Sequence, residues 1–217
     1  MTTPERLIDS QASIALEQYR SLRTNIDFLR ATRDLHVVTI TSGMPEAGKS
    51  LTAANLGMAF AMSDVRTLVI DADLRRPSQH HLFELENRQG LTTALMREGD
   101  ASGYIQQGPL PHLHVLTSGP LPPNPTELLA NGRIERLLER LRVEAEVILM
   151  DTPPVLSFAE TAILAHAADG VVYVVRAGSY SRRLDMKAMG ILQRAQTTVL
   201  GSVLNDAQLP AKDSYYY

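Results

Sequence analysis

The sequence predicts an α/β protein built on a doubly wound, mostly parallel sheet with helices on both faces. Short runs rich in Val, Ile and Leu alternate with longer helical patterns. Several of these runs are apolar at every position, as strands covered on both faces must be. A glycine-rich loop of the form G-x-x-x-x-G-K-S stands between the first apolar run and the first helix after it. This repeated order of strand and helix predicts parallel neighbours, although it leaves the strand order in the sheet open.

The individual elements follow from the apolar runs and from the helical spacing between them. Strands are expected where Val, Ile and Leu cluster between polar or turn-forming segments, and helices in the longer segments that connect them. The predicted strands are His36–Ser42, Arg66–Asp71, Leu113–Ser118, Glu146–Asp151, Gly170–Arg176 and Val199–Asn205. The predicted helices between them are Lys49–Met62, Pro125–Leu141, Ala159–Ala167 and Arg182–Ala195.

A further helix, from about residue 13 to 31, is expected before the first strand. It carries an apolar stripe at heptad spacing, so that face should pack on the domain. The stripe consists of Ala15, Tyr19, Leu22, Ile26 and Leu29. At about 100° per residue, Glu17 and Arg20 lie opposite the stripe and Arg23 lies on its flank. Two interpretations stay open for these three residues: a solvated face with i, i+3 ion pairs, or a surface that binds a partner.

Length and composition favour one folded unit. The chain has 217 residues, of which 44% are hydrophobic, enough for the core of a single α/β domain. We predict one domain over residues 1–209 and a flexible tail over residues 210–217. The formal charge of −3 gives no bulk attraction for nucleic acid, and we expect none as a partner.

Cysteine content and hydropathy exclude several further classes. The sequence has no cysteine, which excludes disulfides, thiol catalysis and cysteine-bound metal. No run approaches the roughly 20 apolar residues that span a bilayer, and the first ten residues are polar. We therefore expect a soluble chain that reaches a membrane only through a partner.

The loop Gly43–Ser50 carries the phosphate-binding pattern in the correct context, after a predicted strand and at the start of a helix. Its backbone N–H groups and the helix N-terminus would bind phosphate oxygens. Gly48 would let the backbone approach the phosphates closely. Lys49 would bridge the β- and γ-phosphates, and the Ser50 hydroxyl would bind Mg²⁺. The loop therefore predicts a nucleoside triphosphate site.

Aspartates end two of the buried strands. Asp71 and Asp73 follow the run Leu68–Ile70, and Asp151 ends the run Val147–Met150. Because the carboxyl ends of parallel strands share one edge, where ligands bind, these acids should lie beside the phosphates. A carboxylate at the end of a buried strand is what a Walker B site needs to orient the magnesium shell.

Together these segments resemble a known family, the bacterial tyrosine kinases that regulate capsule and exopolysaccharide synthesis. The segments similar to that family's Walker A, A′ and B motifs are Gly43–Ser50, Asp71–Pro77 and Asp151–Pro154. Gly119–Leu129 resembles the family's proline-rich segment, and Gly201–Asn205 resembles its last core strand. Glu17-x-x-Arg20-x-x-Arg23 resembles its N-terminal oligomerisation motif.

The resemblance implies an ATP-dependent autokinase of P-loop NTPase fold that uses Mg²⁺ and phosphorylates its own tyrosine-rich end. It implies catalytic roles for Lys49, Asp71, Asp73 and Asp151, with Asp71 as the group that activates the tyrosine hydroxyl. The implied nucleotide-binding residues are Gly43, Glu46, Ala47, Gly48, Lys49, Ser50, Leu51 and Asn205, and the implied magnesium ligands are Ser50, Asp73 and Asp151. The implied acceptors are Tyr215, Tyr216 and Tyr217.

The resemblance also implies partners. Glu17, Arg20 and Arg23 would join copies of the chain into a ring-like homo-oligomer. The activator would be the cytoplasmic tail of a transmembrane polysaccharide co-polymerase, which would hold the kinase at the inner face of the plasma membrane.

Three departures from the family pattern leave alternatives open. Glu46-Ala47 removes one glycine from the loop, which keeps open a module that binds nucleotide without turnover. The alternative function is an ATPase switch of the partitioning or cell-division type, without kinase activity. Those ATPases, which belong to the same superfamily, carry a second lysine where this chain has Met44, and its absence counts against that alternative. The terminal cluster holds only three consecutive tyrosines.

Overall fold

The structure is a computed structural model that describes residues 14–97, 101–178 and 182–207. The predicted acceptors Tyr215, Tyr216 and Tyr217 lie outside these residues, and so does the predicted boundary between domain and tail.

In these parts of the chain, one seven-stranded sheet forms the centre of the fold, in the order β3-β4-β2-β5-β1-β6-β7. The strands are β1 Val37–Ser42, β2 Thr67–Asp71, β3 Gln106–Gln107, β4 Leu113–Leu116, β5 Val147–Asp151, β6 Gly170–Arg176 and β7 Val199–Asn205. All neighbours are parallel except the edge pair β3 and β4. The predicted doubly wound, mostly parallel sheet is thus confirmed, and the six predicted strands lie within about two residues of their observed ends.

Within the described residues, one α-helix precedes β1 and seven connect the strands. They are α1 Ile14–Arg30, α2 Lys49–Ala61, α3 Gln79–Leu82, α4 Leu91–Arg97, α5 Pro125–Leu129, α6 Arg133–Leu141, α7 Glu160–His166 and α8 Arg182–Arg194. A short 3₁₀ helix spans Ser102–Tyr104.

Helices cover both faces of the sheet. Because successive residues of a strand point to opposite faces, neighbouring strand residues belong to different apolar clusters. Val38 and Val69 belong to the apolar cluster that includes Leu56 of α2 and Ile26 of α1. The adjacent strand residues Val37 and Leu68 belong to a second cluster with α4, α5, α6 and α7. Strands buried on both faces are the reason that these runs are continuously apolar.

The predicted helix Pro125–Leu141 is divided into α5 and α6. Asn131 and Gly132 between them have φ angles of 60° and 72°, in the left-handed region that ends a right-handed helix. Asn-Gly is a turn dipeptide, so the sequence carried a signal for this break. The prediction also lacked α3, α4 and the two-residue strand β3, which are too short to show a periodic pattern.

Helix α1 packs as its apolar stripe predicts, apart from its first member. Ile26 is buried, and Tyr19, Leu22 and Leu29 pack against the same cluster, whereas Ala15 is exposed. The face opposite the stripe holds an exposed Glu17–Arg20 ion pair of 3.3 Å, and on its flank Arg23 pairs with Asp27 at 3.2 Å. None of the helices in the described parts of the chain has the length and apolarity that crossing a bilayer requires.

Candidate active site

The carboxyl ends of β1, β5 and β2 lie next to one another in the sheet and bring the predicted site residues together. Asp151 of β5 pairs in register with Asp71 of β2 on one side and with Ile40 of β1 on the other. The phosphate loop leaves the end of β1 and leads into α2. The loop and the two acids therefore meet at one edge, as expected from the parallel arrangement.

The loop has the conformation of an anion-binding turn at a helix N-terminus. Gly48 is the N-cap of α2, with a φ of 93° that few other residues adopt. Lys49, the first residue of α2, is only 7% exposed. The Ser42 hydroxyl donates a 2.6 Å hydrogen bond to the Met44 carbonyl and fixes the start of the loop. Backbone N–H groups at the start of α2 thus face the edge where the acids lie.

Glu46 has a φ of 61°, although it carries a side chain. A left-handed backbone costs roughly 1–2 kcal/mol for a residue other than glycine. The missing glycine of this loop therefore falls at a position whose backbone favours glycine. The exposed Glu46 side chain also lines the cavity in front of the loop.

Asn205, the last residue of β7, contacts the loop from the side. Its Nδ2 donates a hydrogen bond to the Ala47 carbonyl at 3.0 Å. A Cβ atom on Gly48 would lie 2.0 Å from the same Nδ2, so the close approach requires glycine. Leu51, also predicted to bind nucleotide, packs against the core, in the same cluster as Ile40.

The Asp71 and Asp151 carboxylates are fully buried, and each leaves one oxygen free. Asp71 Oδ2 accepts hydrogen bonds from the backbone N–H groups of Ser78 (2.9 Å) and Gln79 (2.8 Å). Asp151 Oδ2 accepts a hydrogen bond from Gln79 Nε2 at 2.8 Å. Neither Oδ1 atom has a hydrogen-bond partner among the described residues. Because a buried carboxylate oxygen without a partner is costly, this pair is suited to a cation or a proton donor that comes with a ligand.

Burial raises the pKa of both acids, and a neighbouring carboxylate adds to the rise in each case. Burial raises the pKa of Asp71 well above its usual value, and the charge of Asp151 raises it further. Burial also raises the pKa of Asp151, to about 6, against the opposing effects of Lys49, Ser50 and Gln79. Strongly raised carboxyl pKa values in a cleft are typical of functional sites.

Asp73 lies at the mouth of the site, with its side chain 6% exposed. Its Oδ1 accepts hydrogen bonds from the backbone N–H groups of Arg75 (3.1 Å) and Arg76 (2.9 Å), which form a tight turn after β2. A cavity of about 260 Å³ opens here. The cavity is lined by Pro45, Glu46, Lys49, Ser50, Asp73, Arg75, Arg76, Pro154, Ser157 and Phe158.

The residues present fit Mg²⁺ when it arrives with a nucleotide. Within the described residues, no group of three or more His, Asp or Glu side chains could hold a metal by itself. Mg²⁺ is usually held by one or two protein oxygens together with phosphates and waters. The Ser50 side chain at the start of α2 meets that requirement together with Asp151 Oδ1 at the end of β5, which has no hydrogen-bond partner among the described residues.

Contacts made by three residues at the site were missed by sequence reasoning. Gln79 donates from its side chain to both Asp151 and the Ser50 carbonyl. Arg75 Nε donates a 2.7 Å hydrogen bond to Glu160, which is 1% exposed. Isolated polar residues give no periodic signal, and only the fold brings these partners together.

The third missed contact fixes the start of the phosphate loop. Tyr173 Oη donates to Asp185 Oδ1 at 2.8 Å and lies next to the backbone of Gly43. A Cβ atom on Gly43 would lie 2.6 Å from Tyr173 Oη, so a larger residue would push the loop away from β6.

Comparison with known proteins gives the following similarities. Residues 36–198 match the AAA_31 family, described as an AAA domain. The tyrosine-protein kinase YwqD of Bacillus subtilis (strain 168) is 40% identical over 205 residues, which cover 94% of this chain and 86% of YwqD. The putative tyrosine-protein kinase CapB of Staphylococcus aureus is 34% identical over 215 residues, which cover 99% of this chain and 94% of CapB. The solved kinase domain of the Escherichia coli tyrosine kinase ETK has a TM-score of 0.86 at 31% identity, covering 99% of this chain and 84% of that one.

Proposed function

Since the chain belongs to the bacterial protein-tyrosine kinases, a family with the P-loop nucleotide-binding fold, we propose that it transfers the γ-phosphate of ATP to tyrosines of its own C-terminus. One observation carries this proposal. The phosphate loop and two buried acids with free oxygen atoms meet at the carboxyl edge of the sheet. Phosphoryl transfer requires mainly positioning, neutralisation of charge and a carboxylate near the attacking hydroxyl, and these residues would supply all three.

The phosphate loop would bind and orient the triphosphate of ATP. Backbone N–H groups after Gly48 would donate to its oxygens, and Lys49 would neutralise charge on the β- and γ-phosphates. Ser50 and Asp151 would hold Mg²⁺, with Asp73 at the edge of its shell. The metal would supply charge neutralisation between the β- and γ-phosphates.

Asp71 would activate the acceptor. Its free Oδ1 would accept the proton of the tyrosine hydroxyl while the phenol oxygen bonds to the γ-phosphorus and the bond to the β-phosphate oxygen breaks, so that ADP leaves. A raised pKa suits a carboxylate that must take up a proton during transfer and release it afterwards.

The acceptors would be Tyr215, Tyr216 and Tyr217. Each phosphotyrosine adds about −1.5 to −2 charges, so a modified tail would carry roughly −5 to −6 per subunit. If Glu17, Arg20 and Arg23 join subunits into a ring, such tails would repel one another within it. Glu17 and Arg20 are half exposed on α1 and are available for contact with another molecule. Measuring the size of the protein before and after ATP treatment tests this part: an unchanged oligomer after complete phosphorylation would exclude control of assembly by phosphorylation.

The partner would be the cytoplasmic segment of a transmembrane polysaccharide co-polymerase, which would hold the kinase at the membrane and place it in capsule or exopolysaccharide synthesis. The kinase family supports this proposal. Autophosphorylation with and without the cytoplasmic segment of a co-encoded membrane protein tests it. Equal rates in both assays would contradict it.

A partitioning-type ATPase switch is not favoured. That class needs a second lysine in the loop, and Met44 occupies its place. The relatives that match most of this chain are tyrosine-protein kinases.

The decisive experiment is incubation with ATP and Mg²⁺, followed by mass spectrometry of the C-terminal peptide. Phosphate on Tyr215–Tyr217 that is absent from Lys49→Met supports the kinase. Release of ADP without modified peptide would support the ATPase switch, and nucleotide binding with neither product would support a binding module.

A further inference from the structure

Gln79, at the start of α3, contacts three parts of the site at once. It is fully buried. Its side-chain Nε2 donates to Asp151 Oδ2 at 2.8 Å and to the Ser50 carbonyl at 3.0 Å. Its backbone N–H donates to Asp71 Oδ2 at 2.8 Å. One residue thus connects the ends of β2 and β5 with the first turn of α2.

The orientation of the Gln79 amide is determined by its partners. Both groups facing Nε2 are oxygen acceptors, so the opposite orientation of the amide would place three oxygens together. Gln79 Oε1 is therefore on the other side of the amide, and it is buried without a hydrogen-bond donor in the described residues. A buried amide oxygen without a donor is costly, so the site fits a ligand that brings one.

A water bound to magnesium would be such a donor. Mg²⁺ usually keeps several waters when carboxylates and phosphates bind it. Gln79 donates to Asp151 Oδ2, and Asp151 Oδ1 has no hydrogen-bond partner in the part of the chain that the structure describes. Two buried acceptors without donors, Asp151 Oδ1 and Gln79 Oε1, thus belong to side chains in direct hydrogen-bond contact.

We propose that Gln79 is a positioning residue of the magnesium–nucleotide site, which fixes Asp151 against Ser50 and accepts a hydrogen bond from a water of the magnesium shell. The proposal rests on the proposed function only in that the site binds nucleotide with Mg²⁺. It does not require that phosphate is transferred. Gln79 would not touch the reacting atoms. Its loss would weaken the response to the metal more than the binding of nucleotide itself.

The test measures binding of a fluorescent ADP analogue to the full chain, first in EDTA and then during titration with Mg²⁺. Gln79→Met removes the amide at similar length, and Gln79→Glu keeps the shape but removes the donor. Gln193→Met, at an exposed position of α8, is the matched control. Both Gln79 variants should need about 10-fold or more Mg²⁺ for the half-maximal effect, with affinity in EDTA changed less than about threefold. The control should behave as the unmodified chain does.

Two results would overturn the proposal. One is an unchanged magnesium requirement in both Gln79 variants. The other is a loss of affinity in EDTA as large as the loss in Mg²⁺, which indicates a purely structural role. If the variants do not fold, NMR of the unmodified chain tests the proposal instead. The side-chain amide signal of Gln79 should shift when Mg²⁺ is added to the ADP complex. A signal that does not shift would also overturn the proposal. Absence of tail phosphorylation would contradict the kinase function alone, because this binding assay does not depend on transfer.

Discussion

The side-chain amide of Asn205 donates a hydrogen bond to the carbonyl of Ala47, which links the last strand to the phosphate loop across 158 residues of sequence. Ala47 is 2% exposed, so its carbonyl has little access to water as a substitute partner. The edge strand β7 thus helps to fix the loop that would bind the triphosphate. Substitutions in β7 should therefore affect the conformation of the phosphate loop.

We predict that Asn205→Ala weakens nucleotide binding and lowers stability. Removal of the amide leaves the Ala47 carbonyl without its partner, which should reduce the free energy of unfolding by about 1–2 kcal/mol. A less ordered loop should raise the dissociation constant of ATP several-fold. Denaturant unfolding and ATP titration measure the two effects.

Asn124→Ala provides the control for this prediction, because Asn124 makes an exposed side-chain contact with Glu127 at 3.3 Å. It should leave ATP affinity unchanged. ATP binding by Asn205→Ala as tight as that of the unmodified chain would show that the loop does not depend on β7.

Glu46 provides the second prediction, because its left-handed backbone and its charge can be tested separately. Glu46→Gln removes a carboxylate from the cavity lining, so we expect ATP to bind a few-fold more tightly at low salt and the gain to shrink as salt rises. Glu46→Gly should show the same gain and also raise the free energy of unfolding by about 0.5–1 kcal/mol, since glycine adopts a φ of 61° without strain. ATP titration and denaturant unfolding measure both effects.

The control for the backbone effect is Gln196→Gly, at an exposed position with a φ of 56° after α8. It should raise stability by a similar amount without changing ATP affinity. Lower stability in both glycine variants would mean that the entropy of the unfolded chain outweighs the relief of strain.

The sequence was sufficient to predict the layout of this site but not its supporting contacts. Asp71 and Asp151 could be brought together from sequence because parallel strands end at one edge. The loop could be identified because its pattern lies between a strand and a helix. The hydrogen bonds of Gln79 to Asp151 and of Asn205 to Ala47 join segments that are distant in the sequence, and no local pattern encodes them.

The third prediction concerns Arg75, which Glu160 holds beside the cavity. Burial raises the pKa of Glu160, but hydrogen bonds from Arg75 and Thr126 outweigh this effect and keep the pKa below its usual value. Glu160→Gln keeps the shape but removes the charge, so we expect a loss of about 1–3 kcal/mol in the free energy of unfolding. The freed Arg75 should also raise the KM for ATP, as steady-state phosphorylation would measure.

Thr126→Val is the matched control, because it removes the 3.0 Å hydrogen bond to Glu160 Oε2 and leaves the Arg75 pair in place. It should lower stability by about 1 kcal/mol with the KM for ATP unchanged. Equal KM values in Glu160→Gln and Thr126→Val would show that the position of Arg75 does not affect nucleotide binding.

The fourth prediction is that Asp71→Asn stabilises the nucleotide-free protein while it impairs transfer. Burial raises the pKa of Asp71, so between the usual value of 3.8 and the raised value the folded state binds a proton that the unfolded chain has released. The free energy of unfolding therefore falls as pH rises through this interval, and above it the folded state carries a buried charge. Asparagine has no such cost, and its carbonyl can still accept the hydrogen bonds from Ser78 and Gln79.

Thermal unfolding from pH 4 to pH 8 measures this effect. At pH 8 the melting temperature of Asp71→Asn should exceed that of the unmodified chain by at least about 3 °C, and the difference should shrink towards pH 4. Glu144→Gln, at an exposed position, should show no such trend. Tail phosphorylation by Asp71→Asn should fall at least about 100-fold, because the proton acceptor is lost. A difference in melting temperature that does not change with pH would mean that Asp71 stays ionised at no cost in the folded protein, which would contradict the raised pKa on which its role as a proton acceptor depends.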